Sequence, residues 1–201
     1  MGLVKKLIGV TGVLFLVCLL LISTPPKAVS FDMGDGRLVY DDGAVRVFAL
    51  PGPEGSPESN GQAEVGPTAV KAKVKILTCH ATTPPLVPYD TYPWIKVGES
   101  MAHYAWLEVL GVSDDINIVF TVTGPQWSKP YVHKTDWIVS VAPGEYYMEW
   151  RPGTVGGDGS DFYTTEGYYK LTVKGIPKGN KLNGASSDTS WFHIKPAAPT
   201  P

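Results

Sequence analysis

Six residues are candidate ligands for a transition metal, but their spacing predicts no metal site. They supply thiolate, thioether and imidazole groups, which suit copper or zinc: Cys79, His80, Met101, His103, His133 and His193. The sequence has no Cys-x-x-Cys pair, haem-attachment motif or His-Glu-x-x-His motif. Cys79 and His80 are adjacent, and adjacent residues of a strand point to opposite faces. We therefore expect no metal and no other cofactor, and interpret Cys79 as a buried apolar side chain.

Three pairs of aspartates could offer oxygen ligands to calcium. Each pair adjoins glycine in a predicted turn, and none has the spacing of an EF-hand loop. Aspartate in a turn usually accepts hydrogen bonds from its own backbone. That is the role we expect for Asp32 with Asp35, Asp41 with Asp42, and Asp158 with Asp161.

Ser100 lies in the segment Gly-Glu-Ser-Met-Ala, which is similar to a nucleophile elbow with alanine in the last position. That motif requires a strand, a sharp turn and a helix in an α/β fold. The sequence shows no alternation of strands and helices, so we expect no catalytic residues and no enzyme. A hydrolase is the third-ranked hypothesis.

Aromatic side chains in predicted loops are the candidate binding residues. Tyrosine and tryptophan supply large contact areas together with a polar group, so they are common at interfaces and in cores. Tyr89, Tyr92, Trp94 and Trp127 lie in loops or at strand starts, and we predict that they form a contact patch. Four further tryptophans lie on predicted strands and are interpreted as core or half-buried residues: Trp106, Trp137, Trp150 and Trp191.

The first thirty residues have the pattern of a secretory signal. Two lysines precede an uncharged apolar run over residues 7–22, and Ala28-Val29-Ser30 resembles a cleavage site. The alternative is a retained membrane anchor, since the run is near the lower limit for a bilayer span. Removal of residues 1–30 changes the formal charge from −2 to −5, because three lysines leave and no acid does. Because an acidic chain lacks the overall positive charge typical of nucleic-acid binding proteins, we expect no nucleic-acid partner.

Glycine and proline divide the chain into segments. The 201 residues include 22 Gly and 18 Pro, which excludes a helical bundle. Residues 31–50 predict a β-hairpin around Asp41-Asp42-Gly43, which is either an extension or an edge that docks onto the main domain. Residues 51–67 are rich in glycine, proline and polar residues, and we predict that they form a flexible linker. Residues 68–195 form the predicted β-domain, and 196–201 a disordered tail.

Alternation of apolar and polar residues predicts seven strands in the main domain. In the first, apolar residues from Val70 to Ile76 alternate with three lysines. Segment 98–112 fits a strand or a helix, and we favour the strand because its neighbours are strands. The other predicted strands cover 116–122, 137–141, 143–150, 166–173 and 190–195.

Two strand units carry a resemblance to known modules. Residues 166–173, EGYYKLTV, look like the penultimate strand of immunoglobulin-like and fibronectin-like modules. Residues 142–150, APGEYYMEW, resemble strands of exported bacterial β-sandwich modules. The resemblance implies an all-β, immunoglobulin-like antiparallel sandwich, preceded by the N-terminal signal or anchor helix. It departs from antibody domains because the paired core cysteines are missing, and it implies no functional residue.

These features predict a non-catalytic, exported protein that acts in binding or structural assembly at the cell surface or outside the cell. The expected partner is a protein or a cell-surface polymer, with self-assembly left open. We expect contact with a membrane only through residues 7–22, if the signal is retained. The alternative hypothesis is a carbohydrate-binding or metal-binding accessory module.

Overall fold

The computed structural model describes residues 36–51, 71–82, 94–153 and 158–197. Within these ranges the chain is mostly β-strand, which confirms the all-β prediction. The only helical turn among the described residues is a 3₁₀ turn at Lys178–Asn180. The strands are β1 (Arg37–Asp41), β2 (Val45–Ala49), β3 (Lys73–Thr82), β4 (Trp94–Lys96), β5 (Ala102–Leu110), β6 (Asp114–Thr123), β7 (Tyr131–Lys134), β8 (Ile138–Val141), β9 (Gly144–Trp150), β10 (Gly167–Pro177) and β11 (Ser186–Lys195).

The described strands form two sheets. The five-stranded sheet has the order β1-β2-β9-β5-β3, and all of its strand pairs are antiparallel. The six-stranded sheet has the order β4-β11-β10-β6-β7, with β8 also paired to β6. Its one parallel pair joins β4 to β11. Side chains from both sheets contribute to one hydrophobic core, in which Trp150 of β9 contacts Phe120 of β6 with ring centroids 5.0 Å apart.

The predicted hairpin of residues 31–50 is present over its described part, and it docks onto the main domain. β2 pairs with β9 from Val45–Trp150 to Ala49–Tyr146. The backbone amides of Ala44 and Val45 both donate to the carboxylate of Asp42, which fixes the turn. The hairpin is therefore two strands of the five-stranded sheet.

The seven strands predicted in the main domain are all found, with shifted ends. Segment 98–112 contains β5, so the preference for a strand is confirmed. The short strands β4 and β7 were not predicted, because three or four residues are too few to show an alternating pattern. The leader of residues 1–30 with its predicted helix, and the linker of 51–67, lie outside the described residues.

A β-bulge in β3 shifts the buried residues from even-numbered to odd-numbered positions. Val74 and Ile76 are buried, and the lysines between them are exposed as predicted. The pairing with β5 then skips one residue, Leu77, which is 42% exposed. A bulge adds one residue to one strand of a pair and so exchanges inward and outward positions. Cys79 and Ala81 are consequently the next buried residues.

The free edge of β3 is closed by the start of β11. The amide of Val74 donates to the carbonyl of Gly184 at 2.7 Å, that of Ile76 to Ser186 Oγ at 2.7 Å, and that of Cys79 to Asp188 Oδ2 at 3.1 Å. These acceptors occupy alternate positions along one side of the chain. They satisfy edge N–H groups that a neighbouring strand would otherwise take.

Two tyrosines make the same backbone contact at the start of their strands. Tyr146 Oη donates to the carbonyl of Ala142 at 2.7 Å, and Tyr169 Oη donates to the carbonyl of Thr165 at 2.7 Å. Each hydroxyl thus bonds to the residue four positions earlier and fixes the turn that leads into the strand. The two sequence units that share a glycine and a tyrosine pair therefore also share a structure.

His103 of β5 is a buried histidine among aromatic rings. Its ring is fully buried and lies 4.8 Å from that of Trp150. Nε2 is 2.8 Å from Tyr163 Oη. Burial opposes the charged imidazolium and lowers the pKa of His103 from 6.5 to about 3. His103 is therefore neutral at physiological pH and acts as a core side chain.

In the part of the chain that the structure describes, no helix has the length and apolar character needed to cross a bilayer.

The Tyr169→Phe variant removes one buried hydroxyl and is expected to lose about 1 kcal/mol of unfolding free energy, because the carbonyl of Thr165 loses its donor. Tyr168→Phe is the matched control, since Tyr168 is adjacent in sequence but 63% exposed. Urea unfolding of both variants measures the difference. Equal stability of the two variants would contradict the structural role of the Tyr169 hydroxyl.

Stability should fall as the pH is lowered from about 6.5 to about 3, because only the unfolded chain protonates His103 in that range. The contribution of this group is at most about 1.4 kcal/mol per pH unit. His103→Gln, which cannot take up a proton, should give a shallower dependence in denaturant titrations across this range. His193→Gln, outside the core, controls for the substitution itself. An unchanged slope in His103→Gln would refute the assignment.

Candidate functional site

The outer side of the six-stranded sheet presents an exposed row of aromatic, hydroxyl and lysine side chains. Tyr169, Leu171 and Val173 of β10 point into the core, and so do Phe192 and Ile194 of β11. The residues between them therefore point outward. We call these outward residues the lysine–aromatic face: Tyr168, Lys170, Thr172 and Lys174 of β10, with Ser187, Thr189, Trp191 and His193 of β11.

Two aromatic contacts form one end of this face. Tyr168 pairs with His193 across the strands, and their rings stack at 4.4 Å with an interplanar angle of 11°. In the next cross-strand pair, Lys170 Nζ lies 5.9 Å from the centroid of the Trp191 ring. Tyr168 is 63% exposed and Trp191 is 47% exposed. Two large aromatic surfaces are therefore open to solvent and are held by their neighbours.

Hydroxyl and lysine residues form the other end. Thr172 and Thr189 are paired, with their hydroxyl oxygens 2.9 Å apart. Lys174 pairs with Ser187 in the following row, and both are exposed. On the neighbouring strand, Thr121 lies beside Thr172 in the register. The face thus changes from aromatic to polar along the strands.

The charge of the face is positive. Lys170 and Lys174 lie on β10, and Lys134 of β7 lies one strand beyond β6. None of these lysines forms an ion pair with a carboxylate of the described residues. Asp115, farther along β6, is paired with Lys178 at 2.8 Å. An overall acidic protein therefore presents a basic surface here.

Of the four predicted contact residues, the structure describes Trp127 in full. Its ring is partly buried against the core and contacts Phe162 at 5.1 Å, Tyr131 at 5.6 Å and Tyr163 at 5.7 Å. Trp127 is thus part of an aromatic cluster at one end of the core. The backbone of Trp94 lies in β4, where it is the register partner of His193. Tyr89 and Tyr92 lie outside the described residues, so the contact patch of these four residues stays a prediction.

Sequence reasoning missed the functional candidates Tyr168 and Trp191, although a signal was present. Trp191 was interpreted as a core or half-buried residue together with Trp106, Trp137 and Trp150. Trp150 is 1% exposed. Trp191 points to the same side of β11 as the exposed Thr189, and it is 47% exposed. Residues two positions apart in a strand point to the same side of the sheet. Trp191 alternates in step with polar residues of β11, which places it outward and Phe192 inward.

The residues considered for metal binding are divided between the core and the outer faces of the two sheets. Cys79 and His103 are in the core, and His193 lies on the outer face of the six-stranded sheet. His80 contacts Trp106 on the outer face of the other sheet, with ring centroids 5.2 Å apart. Among the described residues, no group of three or more His, Cys, Asp or Glu is arranged to hold a metal.

Cys79 is buried, as predicted from its position at the end of an apolar segment. Burial is the main cause that raises the pKa of its thiol to about 12, and the nearby carboxylate of Asp188 adds to it. Its Sγ lies 3.9 Å from Ser190 Oγ. A thiol with this pKa is neutral and weakly nucleophilic at physiological pH.

The turn aspartates and Ser100 make local contacts. Asp41 accepts from the amide of Gly43 at 2.8 Å, and Asp158 Oδ1 accepts from that of Ser160 at 3.0 Å. These carboxylates serve their own turns, as expected. Ser100 Oγ donates to the carbonyl of Asp158 at 3.0 Å. Its hydrogen bond therefore goes to a backbone oxygen, where a nucleophile would need a basic side chain.

A buried carboxylate lies on the outer side of the five-stranded sheet. The Glu149 side chain is 2% exposed and is bound by two arginines, Arg46 at 2.8 Å and Arg151 through its Nε. Beside it, Tyr104 and Tyr147 stack at 5.5 Å. Burial raises the pKa of Tyr104 to about 12 and that of Tyr147 further. Neither hydroxyl is ionised at neutral pH, so this cluster is a paired structural site.

No family model matches the sequence, and no curated protein matches it. Among solved structures, a β-glucosidase from Listeria innocua aligns with 81% of this chain at 9% identity and a TM-score of 0.35. A mutant of that enzyme in complex with laminaribiose aligns with 73% of this chain at 10% identity and a TM-score of 0.34. The alignments span 22% and 21% of those enzymes. A likeness at this level carries no argument about fold or activity.

Proposed function

We propose that this protein is an exported, non-catalytic binding protein with an immunoglobulin-like β-sandwich, and that it binds its partner through the lysine–aromatic face. The observation that carries the binding role is the exposure of Tyr168 and Trp191 side by side on one sheet, at 63% and 47%. Large aromatic side chains on a surface are typical of interaction sites.

The order of the strands supports the immunoglobulin-like part of the proposal. In such domains, strands A, B, E and D form one sheet and C, F and G the other. The series β3-β5-β9 corresponds to A-B-E, and β6-β10-β11 to C-F-G, in both chain order and sheet order. The place of strand D, beside E, is taken by β2, which comes from the N-terminal hairpin.

The tyrosine contacts give further support. A tyrosine near the start of strand F that bonds to the backbone a few residues upstream is typical of this class of domain. Tyr169 at the start of β10 makes that contact, and Tyr146 of β9 repeats it. The chain has two cysteines, Cys18 and Cys79. The cysteine pair of antibody domains is therefore absent from β5 and β10.

The non-catalytic part of the proposal rests on the state of the reactive groups. His103 is buried and neutral, the Cys79 thiol has a raised pKa, and Ser100 bonds to a backbone carbonyl. These three groups are thus engaged in the core or in turns. Export is inferred from the sequence of residues 1–30.

Replacing both exposed aromatics tests the binding face. The double variant Tyr168→Ala/Trp191→Ala should retain the fold, measured by circular dichroism, and bind insoluble surface material from the source cells at least about 10-fold more weakly, since aromatic contacts dominate many interfaces. Leu182→Ala is the control, because Leu182 is 94% exposed but lies in the turn before β11. Equal binding by the double variant and the control would overturn the proposed face.

Export predicts a shortened chain. Protein recovered from the medium or the cell surface should have a mass that corresponds to residues 31–201, because cleavage follows Ser30 in the predicted signal. Intact-mass spectrometry measures this directly. Replacement of Ala28 by Arg should block cleavage and leave the full-length chain attached to the membrane. Recovery of the full-length wild-type chain from the cytosol would contradict the proposed export.

A further inference from the structure

We infer that the partner of the lysine–aromatic face is an anionic polysaccharide, a chain of sugar rings that carries carboxylate or sulfate groups. This inference rests on the proposed function, since it uses the same face. It is drawn from the chemistry of that face, in which aromatic, hydroxyl and cationic groups succeed one another along two strands.

The aromatic end of the face can take the apolar side of a sugar ring. Carbon-bound hydrogens of a pyranose pack favourably against an aromatic ring, whose faces are electron-rich. Trp191 and Tyr168 provide two such surfaces on neighbouring strands, one row apart in the register. Stacking against His193 holds Tyr168, and Lys170 lies over Trp191, so little side-chain freedom remains to be lost on binding.

The middle of the face can exchange hydrogen bonds with sugar hydroxyls. Thr172 and Thr189 share one bond across the strands and keep further donor and acceptor capacity. Thr121 extends the row onto β6. Successive outward residues of a strand are about 7 Å apart, so the face from Tyr168 to Lys174 is about 20 Å long. A surface of this length accommodates several sugar units of a linear chain.

The lysines of the face indicate that the partner is negatively charged. Lys134, Lys170 and Lys174 have no carboxylate partner among the described residues. The outward positions of the face itself hold no aspartate or glutamate. A partner that carries anions at intervals along its length would neutralise these cations, whereas a neutral glycan would not.

A protein partner fits this face less well. Lysine and serine are depleted in protein–protein interfaces, where charged residues are removed from the centre. Here Lys170 shares the second of the four rows with Trp191, and Thr172 and Thr189 form the third, so a lysine and two hydroxyl groups lie in the centre of the face. A nucleic acid offers bases for stacking and phosphates for lysine, so single-stranded DNA is the competing polyanion in the test.

Affinity electrophoresis of the purified full chain tests the inference with four probes: polygalacturonate, heparin, dextran and single-stranded DNA. Polygalacturonate or heparin should retard the protein, with dextran and DNA at least about 10-fold weaker. The preference between the first two identifies carboxylate or sulfate as the anion. Binding to the preferred probe should fall roughly 20-fold between 50 and 200 mM salt, as a slope of about −0.7 per neutralised charge gives for about three charges.

Two variants separate the contributions of the face. Lys170→Gln/Lys174→Gln should weaken the salt dependence, and Trp191→Ala should weaken binding at every salt concentration. Lys181→Gln is the matched control, because Lys181 lies over Trp137 and off this face. Normal binding by both face variants, equal binding of dextran, or a preference for DNA would each overturn the inference.

The same experiment distinguishes this inference from the proposed function. If no polysaccharide binds, while Tyr168→Ala/Trp191→Ala still loses its attachment to surface material, the face is a binding site for another partner and only the anionic polysaccharide is excluded. If that double variant binds surface material normally, the proposed face is wrong and the inference falls with it.

Discussion

Burial of alternate side chains on β10 and β11 is the constraint on which the core and the candidate site both depend. Tyr169 and Phe192 enter the core, where their rings stack and Tyr169 also fixes the turn before its strand. Because a strand has a period of two residues, Tyr168 and Trp191 are then forced outward. Shifting β10 by one residue would expose its core residues and bury Lys170, at a cost far greater than any gain from burying an aromatic ring. The shape of the outer face is therefore a by-product of core packing.

Much of the fold could be predicted from alternation, because most long strands have one buried face, although β5 and β9 are buried on both faces over part of their length. The exceptions have local causes. The bulge at Leu77 interrupts the pattern of β3 without any glycine or proline to mark it. Docking of the hairpin onto β9 depends on contacts distant in sequence, for example Arg46 with Glu149. The closed edge of β3 likewise depends on Ser186 and Asp188, whose polar side chains look like ordinary surface residues in the sequence.

The candidate site was less predictable than the fold. Loop position predicts contact residues, but the ring of Trp127 is partly buried in a cluster with Phe162 and Tyr163. Position on a strand predicts a core or half-buried tryptophan, which fits Trp150 at 1% exposed as well as Trp191 at 47% and does not separate the inward residue from the outward one. The reason is that a tryptophan satisfies the apolar pattern of a strand on either side of the sheet. The side it occupies is decided by whether the residues two positions away in the strand are buried or exposed. Pairing between strands then decides which outward residues form one surface.

The placement of the N-terminal hairpin has a consequence for the order of events during synthesis. Arg46 and its partner Glu149 are separated by 103 residues. Ribosomes add about 5–20 residues per second, so β2 waits several seconds before β9 exists. An isolated two-stranded hairpin is at best marginally stable in water. Of the strands described, the first to leave the ribosome are thus among the last to complete their pairing in the sheet.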